Sequence, residues 1–159
     1  MKLLFDEMLK HLASWCRLLG IDSAFYAGKS DSQLLQAAMK EERILVTRDR
    51  PLTLRCEKHG VQFIFIRNDA IEEQIAQVLK ETGVAVEFPN FKRCSVCNGE
   101  LGEAAKDSVK GKVPDNTLEQ NERFWRCGSC GRLFWMGGHW KNIMRVYGKA
   151  KALADAEHK

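Results

Sequence analysis

The chain lacks any apolar stretch approaching the roughly 20 residues needed to span a bilayer, and its N-terminal apolar run is broken at once by Asp6 and Glu7. Neither a membrane helix nor a signal peptide is expected, and the sequence reads as a cytoplasmic protein. No internal repeat of useful length is present, which sets aside solenoids and propellers. The N-terminal part also lacks a charge excess: residues 1–90 hold 12 Lys and Arg against 13 Asp and Glu. Residues 91–159 are different, with 13 basic against 8 acidic residues.

Six cysteines are present, four of them in two C-x-x-C pairs. Inside a cell such pairs read first as metal ligands rather than as a disulfide framework or redox dithiols. Cys16 and Cys56 stand alone in helix-like segments and read as buried, inert thiols. A chain of 159 residues with 45% hydrophobic residues has room for one sizeable core and a small appended module.

Periodicity supports that division. Lys2–Phe5 is a short apolar run, and Met8–Leu19 repeats apolar residues at helical spacing until Gly20. Asp22–Tyr26 reads as a strand, and Ser30 with Gln33 forms a capping-box pattern opening a helix to about Glu42. Arg43–Thr47 (RILVT) and Val61–Ile66 read as strands, separated by a helix with Pro51 in its first turn. A further helix carries Ile71, Ile75, Val78 and Leu79, and Val84–Phe88 is expected as a last strand. Strands alternating with helices predict an α/β fold with a mainly parallel sheet covered on both faces. Pro89-Asn90 breaks the pattern, so the expected domains are 1–89 and 90–159. In the second, the polar Gly102–Glu122 stretch reads as an exposed hairpin or loop, and His139–Glu157 as a terminal helix.

Cys94, Cys97, Cys127 and Cys130 offer two tight turns of two thiolates each, enough to close a tetrahedral zinc shell. Asn98-Gly99 and Gly131 follow the pairs, where a left-handed backbone lets amides point back at sulfur. The 29 residues between the pairs exceed the usual spacing of about 15–20; the polar insert accounts for the excess. Four thiolates leave no open position, so the zinc is expected to be structural. His139 is not required by the spacing. The basic module also carries Phe124, Trp125, Phe134, Trp135 and Trp140, which suit either a small aromatic core or stacking surfaces for a single-stranded nucleic acid.

Ligands of open α/β sheets bind beyond the carboxyl ends of the strands. Asp6 and Asp49 each follow a predicted strand, and Asp31 opens a helix that can face the same rim. Converging carboxylates suit Mg²⁺ or Mn²⁺ and phosphoryl chemistry. The competing reading makes Asp6 and Asp49 helix caps and Asp31 a partner of its helix dipole. Glu42, Glu41 and Asp69 are weaker candidates; Glu42 lies 11 residues past Asp31, about three helical turns away. Lys10, Ser14 and Arg17 share one helical stripe, and Arg48 adjoins Asp49, so these basic residues are candidates for a nucleic-acid backbone, with Arg17 and Arg48 expected near the rim.

The segments Phe5–Leu9, Leu12–Gly20, Asp31 with Leu34-Leu35, Ile44–Asp49, the four cysteines and Phe134-Trp135-x-Gly137-x-His139-Trp140 together resemble the Mut-seven C-terminal RNase domain family. The resemblance covers nearly the whole chain. It implies a PIN-like nuclease domain fused to a zinc ribbon and metal-dependent cleavage of single-stranded or structured RNA. Asp6, Asp31 and Asp49 match the acidic positions, with a fourth open between Glu42 and Asp69. The rival expectations are a non-catalytic RNA- or protein-binding module on the same fold, and a receiver-like phosphoacceptor, which needs a lysine after a fifth strand where this chain has Phe88-Pro89-Asn90.

Overall fold

The computed structural model describes residues 1–156. Four parallel strands form the first sheet: β1 (Lys2–Phe5), β2 (Asp22–Phe25), β3 (Ile44–Thr47) and β4 (Phe63–Phe65), in the order β2-β1-β3-β4. The intervening segments are a 3-10 turn at Glu7–Leu9 leading into helix α1 (Lys10–Leu18), then α2 (Asp31–Glu41), α3 (Arg50–His59) and, after β4, α4 (Ile71–Thr82). Successive strand residues point to opposite faces, so Leu3 and Phe5 enter one core with Leu12, Val46, Ile75 and Val78, while Leu4 enters another with Leu34, Leu45 and Leu52. Helices thus cover both faces, as the sequence pattern requires.

The ribbon is a second, antiparallel sheet of β5 (Leu101–Ala104), β6 (Phe124–Cys127) and β7 (Leu133–Phe134). The stretch expected to be a hairpin or loop begins with β5, continues through a 3-10 turn at Lys106–Val109, and contains a short helix, α5 (Asp115–Gln120). Val109 and Val113 close with Phe124 into a small core of their own. Two isolated valines in a polar run carry no periodic signal, which is why the sequence shows only a loop there.

Helix α6 (Trp140–Ala156) follows the ribbon in sequence but returns to the first unit. Its Val146, Ala150 and Ala154 are buried in the core beside Ile75 and Leu79 of α4. Glu157, the expected end of this helix, lies outside the described residues. Val84–Phe88, expected as a strand, pairs with no strand among the described residues. Its Val84, Val86 and Phe88 do pack on the core, because an alternating apolar face can be met by helix surface as well as by a sheet. Phe88 stands 4.3 Å from Tyr147, and Phe91 stacks on Trp125 at 3.6 Å with the rings 2° from parallel.

The two units are joined by Arg17, which is 7% exposed. Its Nε donates to the Ser23 carbonyl on β2 at 2.7 Å, and its Nη1 to the carbonyls of Ser95 and Val96 in the first C-x-x-C turn at 3.2 and 3.0 Å. Asn98 completes the junction, accepting from the Ser23 amide at 3.0 Å and donating to the Asp22 carboxylate at 2.8 Å. The edge strand β2 is therefore closed by the first knuckle. Burial alone would push the Asp22 carboxyl up, but the Asn98 amide and the Arg43 and Arg93 guanidiniums outweigh it and hold it below the ordinary carboxylate range.

Hydrogen bonds to charged groups contribute about 1.5–3 kcal/mol each, and Arg17→Met leaves three carbonyls without their donor. The substitution should lower stability by about 3 kcal/mol or more in urea unfolding and loosen the first knuckle toward proteolysis. A separate expectation concerns acid. Asp22 has a lower pKa folded than unfolded, so its contribution is present above about pH 4 and lost as pH falls through its depressed value. The stability gap between wild type and Asp22→Asn, measured by urea titration, should shrink below about pH 4.

Candidate functional site

All four strands of the parallel sheet point their carboxyl ends to one rim, and an aspartate follows each. In sheet order these are Asp31 at the start of α2, Asp6 after β1, Asp49 after β3 and Asp69 after β4. Helix capping does not account for the first three. Asp6 and Asp49 occupy N-cap positions, yet neither side chain makes a cap hydrogen bond. The cap of α2 is Ser30, whose hydroxyl accepts from the Gln33 amide at 3.2 Å while Gln33 Oε1 accepts from the Ser30 amide at 2.9 Å. That reciprocal box leaves Asp31 in the first turn without a capping task.

Asp6 and Asp49 are tied together by a residue the sequence reading passed over. Thr47, fully buried at the end of β3, donates its hydroxyl to Asp6 Oδ2 at 2.8 Å and accepts from the Asp49 amide at 3.0 Å. A hydroxyl as the last side chain of the apolar run ILVT was the available signal. Asp69 is highly exposed and pairs with Arg48, Nη1 to Oδ1, at 2.7 Å. Arg48 is therefore at the rim as expected, with a carboxylate partner. Lys10, exposed in the first turn of α1, is also on this side.

Three candidates lie elsewhere. Glu42 ends α2 in a left-handed conformation, φ 55°, next to the start of β3 and so at the opposite edge of the sheet. Glu41 at that edge pairs with Arg43 and accepts from the Tyr26 hydroxyl at 2.7 Å, a structural network. Arg17, expected near the acidic rim, is at the far end of α1 and spent on the ribbon. Among the described residues no three carboxylates draw their oxygens within 4.8 Å of one another. Mg²⁺ does not require that: it keeps several waters and is usually held by one or two carboxylates together with substrate phosphate.

The cysteines do converge. One sulfur each of Cys94, Cys97, Cys127 and Cys130 falls within 4.8 Å of all the others. Cys94 to Cys130 is 3.8 Å and Cys97 to Cys127 is 3.4 Å. A tetrahedron with Zn–S of about 2.3 Å has edges of about 3.8 Å, whereas a disulfide needs about 2.05 Å. The group can hold a zinc ion, and its donors fit that metal. Asn98 and Gly131 take the left-handed turns at φ 70° and 77°. Backbone amides of Gly99, Ser129 and Cys130 each reach a cysteine sulfur at 3.4 Å. A Cβ on Gly99 would stand 2.8 Å from Cys127 Sγ, so only glycine lets the knuckles close. Burial pushes the Cys94 thiol up to about 12. At Cys127 burial also acts upward, but the amides of Cys130 and Ser129 and the neighbouring thiols outweigh it and bring the thiol down to about 6. Cys16 and Cys56 are buried, and burial raises both thiols, Cys16 to about 12, as expected of inert groups.

Of the five ribbon aromatics, Phe124, Trp125 and Trp140 are buried, with Trp125 under Phe91 and Trp140 Nε1 donating to the Trp135 carbonyl at 3.0 Å. Phe134 and Trp135 remain partly exposed. Among the described residues no helix is long and apolar enough to cross a membrane.

No curated protein and no solved structure matches this chain. Residues 1–147 match the family model described as Mut7-C RNAse domain. With an aspartate after every strand of its parallel sheet and four cysteines gathered beside it, this chain belongs to the Mut7-C RNAse domain family.

Proposed function

We propose that this protein is a metal-dependent ribonuclease with a PIN-like first unit, hydrolysing RNA phosphodiester bonds at the rim formed by Asp6, Asp31 and Asp49. The observation that carries the reading is the Asp6–Thr47–Asp49 link, in which one buried hydroxyl orients the Asp6 carboxylate and holds the backbone of Asp49, while neither aspartate caps the helix it precedes. Asp6 and Asp49 would hold Mg²⁺ or Mn²⁺, with Asp31 beside them. Such an ion supplies a water acidified for attack and positive charge against the scissile phosphate. Thr47 fixes the Asp6 carboxylate, and Lys10 offers a cation for the RNA backbone. Asp69 is a better fourth acidic residue than Glu42, because it shares the rim, and Arg48 holds it there. The cysteines would hold a structural zinc, keeping the basic ribbon folded against the first unit for RNA binding.

Purified protein given labelled single-stranded RNA should cleave it with Mn²⁺ or Mg²⁺ and not with chelator present. Thr47→Val, which keeps the volume but removes the hydroxyl, should slow cleavage by about 10- to 100-fold, the usual effect of losing a group that orients a metal ligand. Asp6→Asn and Asp49→Asn should lose more while keeping the fold by circular dichroism. RNA binding without cleavage under either ion, unchanged by these substitutions, would instead support the non-catalytic module.

Zinc removal tests the other half. Cys97→Ser and Cys130→Ser should abolish zinc retention by elemental analysis, unfold the ribbon and weaken RNA binding, yet leave some cleavage by the first unit. Acidification should release the metal as protons take the thiolates. Complete loss of turnover with an intact first unit would show that the two modules work as one.

A further inference from the structure

A cavity of about 270 Å³ lies between α1 and the ribbon, walled by His11 and Ser14 of α1, Phe91 of the linker, and Phe134, Trp135 and His139 of the ribbon end. None of the rim aspartates lines it. Its size is just below the roughly 300–1,000 Å³ of ordinary ligand pockets, so it suits one planar ring system rather than a whole nucleotide cofactor. Its walls are mainly apolar, but hydroxyl, imidazole and indole groups stand among the rings.

The ribbon end is shaped to present two of those groups. A Cβ on Gly137 would stand 3.1 Å from Trp135 Nε1 and 3.3 Å from two atoms of the His139 imidazole. The missing side chain lets both rings crowd over the backbone at one spot. The Trp135 carbonyl is fixed by Trp140, while its indole N–H has no hydrogen-bond partner among the described residues. Trp125 is covered by Phe91, whereas Trp135, just past β7, meets Phe124 at a tilt of 52° and stays partly exposed to line the cavity.

Charge identifies the occupant. Lys10 adjoins His11 and Lys141 adjoins Trp140, both are exposed, and neither carries an ion pair among the described residues. Neither lines the cavity, but each is the chain neighbour of a residue that does, and the cavity wall itself carries the Arg93 guanidinium. Residues 91–159 carry the basic excess of the molecule. An apolar peptide side chain would leave both the free indole N–H and these lysines unused. Building on the ribonuclease reading, we infer that the cleft between α1 and the ribbon binds one unpaired nucleobase of the RNA strand, stacked on Trp135, while its backbone passes Lys10 toward the acidic rim.

The test measures fluorescence anisotropy of a labelled single-stranded RNA octamer and of the same octamer made abasic, on zinc-loaded Asp6→Asn protein so that the RNA stays whole. Stacking of a base on an aromatic ring corresponds to about a 5- to 150-fold loss on alanine substitution. Trp135→Ala should weaken binding of the normal RNA within that range, leave the weak binding of the abasic RNA unchanged, and be rescued by Trp135→Phe. Ser14→Trp fills the cleft from α1, with every ribbon residue left as it is, and should produce the same loss even if Trp135→Ala unfolds the ribbon. Light-induced crosslinking of 5-iodouridine RNA to unsubstituted protein should map to Phe134, Trp135 or His139. Equal affinity for normal and abasic RNA, no effect of Ser14→Trp, or crosslinks confined to other surfaces would overturn the inference. Base-dependent binding that needs Trp135 in a protein that cleaves no RNA would retain the cleft and remove the ribonuclease. Rim-dependent cleavage with affinity indifferent to bases would do the reverse.

Discussion

The buried guanidinium of Arg17 is the constraint on which the arrangement of the two units depends. A charged group this deep is tolerated only when its donors are matched, and the acceptors are three backbone carbonyls, one from edge strand β2 and two from the first knuckle. Burial alone would lower its pKa, and the sulfurs of Cys94 and Cys97, with Asp22, act in the opposite direction. Four thiolates around a zinc ion would carry net negative charge, and Arg17, which feels Cys94 and Cys97, would be a buried counter-charge to it. Metal retention and docking of the ribbon would then be linked. The knuckle that presents the carbonyls of Ser95 and Val96 has its shape only while its cysteines are held together.

The parallel sheet separates charges of the same type into two populations. At the amino edge, Asp22 and Glu41 are balanced by Arg43 and Arg93, with Arg43 2.8 Å from Asp22. At the carboxyl rim, Asp6, Asp31 and Asp49 have no ion pair among the described residues. Every strand ends in the same direction and each following loop delivers an aspartate, so acidic side chains accumulate at one rim by topology alone. What distinguishes this rim from an ordinary solvated edge is Thr47. A hydroxyl at 0% exposure that joins one carboxylate to the backbone of the next is a device for orientation.

Much of this was legible in the sequence, and the parts that were not share a cause. Alternation and helical spacing locate the strands and helices of the first unit, because a two-sided core imposes those periods on the chain. The cysteine spacing and the residues after each pair locate the metal site, because the turn geometry is local. Arg17 escaped because helical phase reports which side of α1 a residue faces but not what is packed there; seven residues from Lys10, it shares Lys10's stripe yet sits beneath a module 78 residues downstream. Val84–Phe88 has strand-like alternation without a strand partner, since its apolar face is met by the core rather than by a sheet. The ribbon aromatics divide into core and surface through contacts with Phe88 and Phe91 of the linker and with Val109 and Val113 of the insert, residues outside the motif.

Helix α1 turns these separate facts into one geometry. It begins just past Asp6 at the rim and ends at the clamp, nine residues that at 1.5 Å each make a rod of about 13 Å. Its buried face is anchored by Leu12, Ala13 and Cys16 in the main core, so it cannot slide relative to the sheet. Its other side presents His11 and Ser14 to the cleft, with Lys10 exposed at its start. Helix α6 braces the ribbon from its far end, entering at Trp140 and burying Val146, Ala150 and Ala154 against the same core. With one end of the ribbon held by Arg17 and the other by α6, the distance from cleft to rim is set by the length of a helix rather than by a linker. A strand seated at one would therefore meet the other at a fixed spacing, which is the property a nuclease needs to choose which phosphate it reaches.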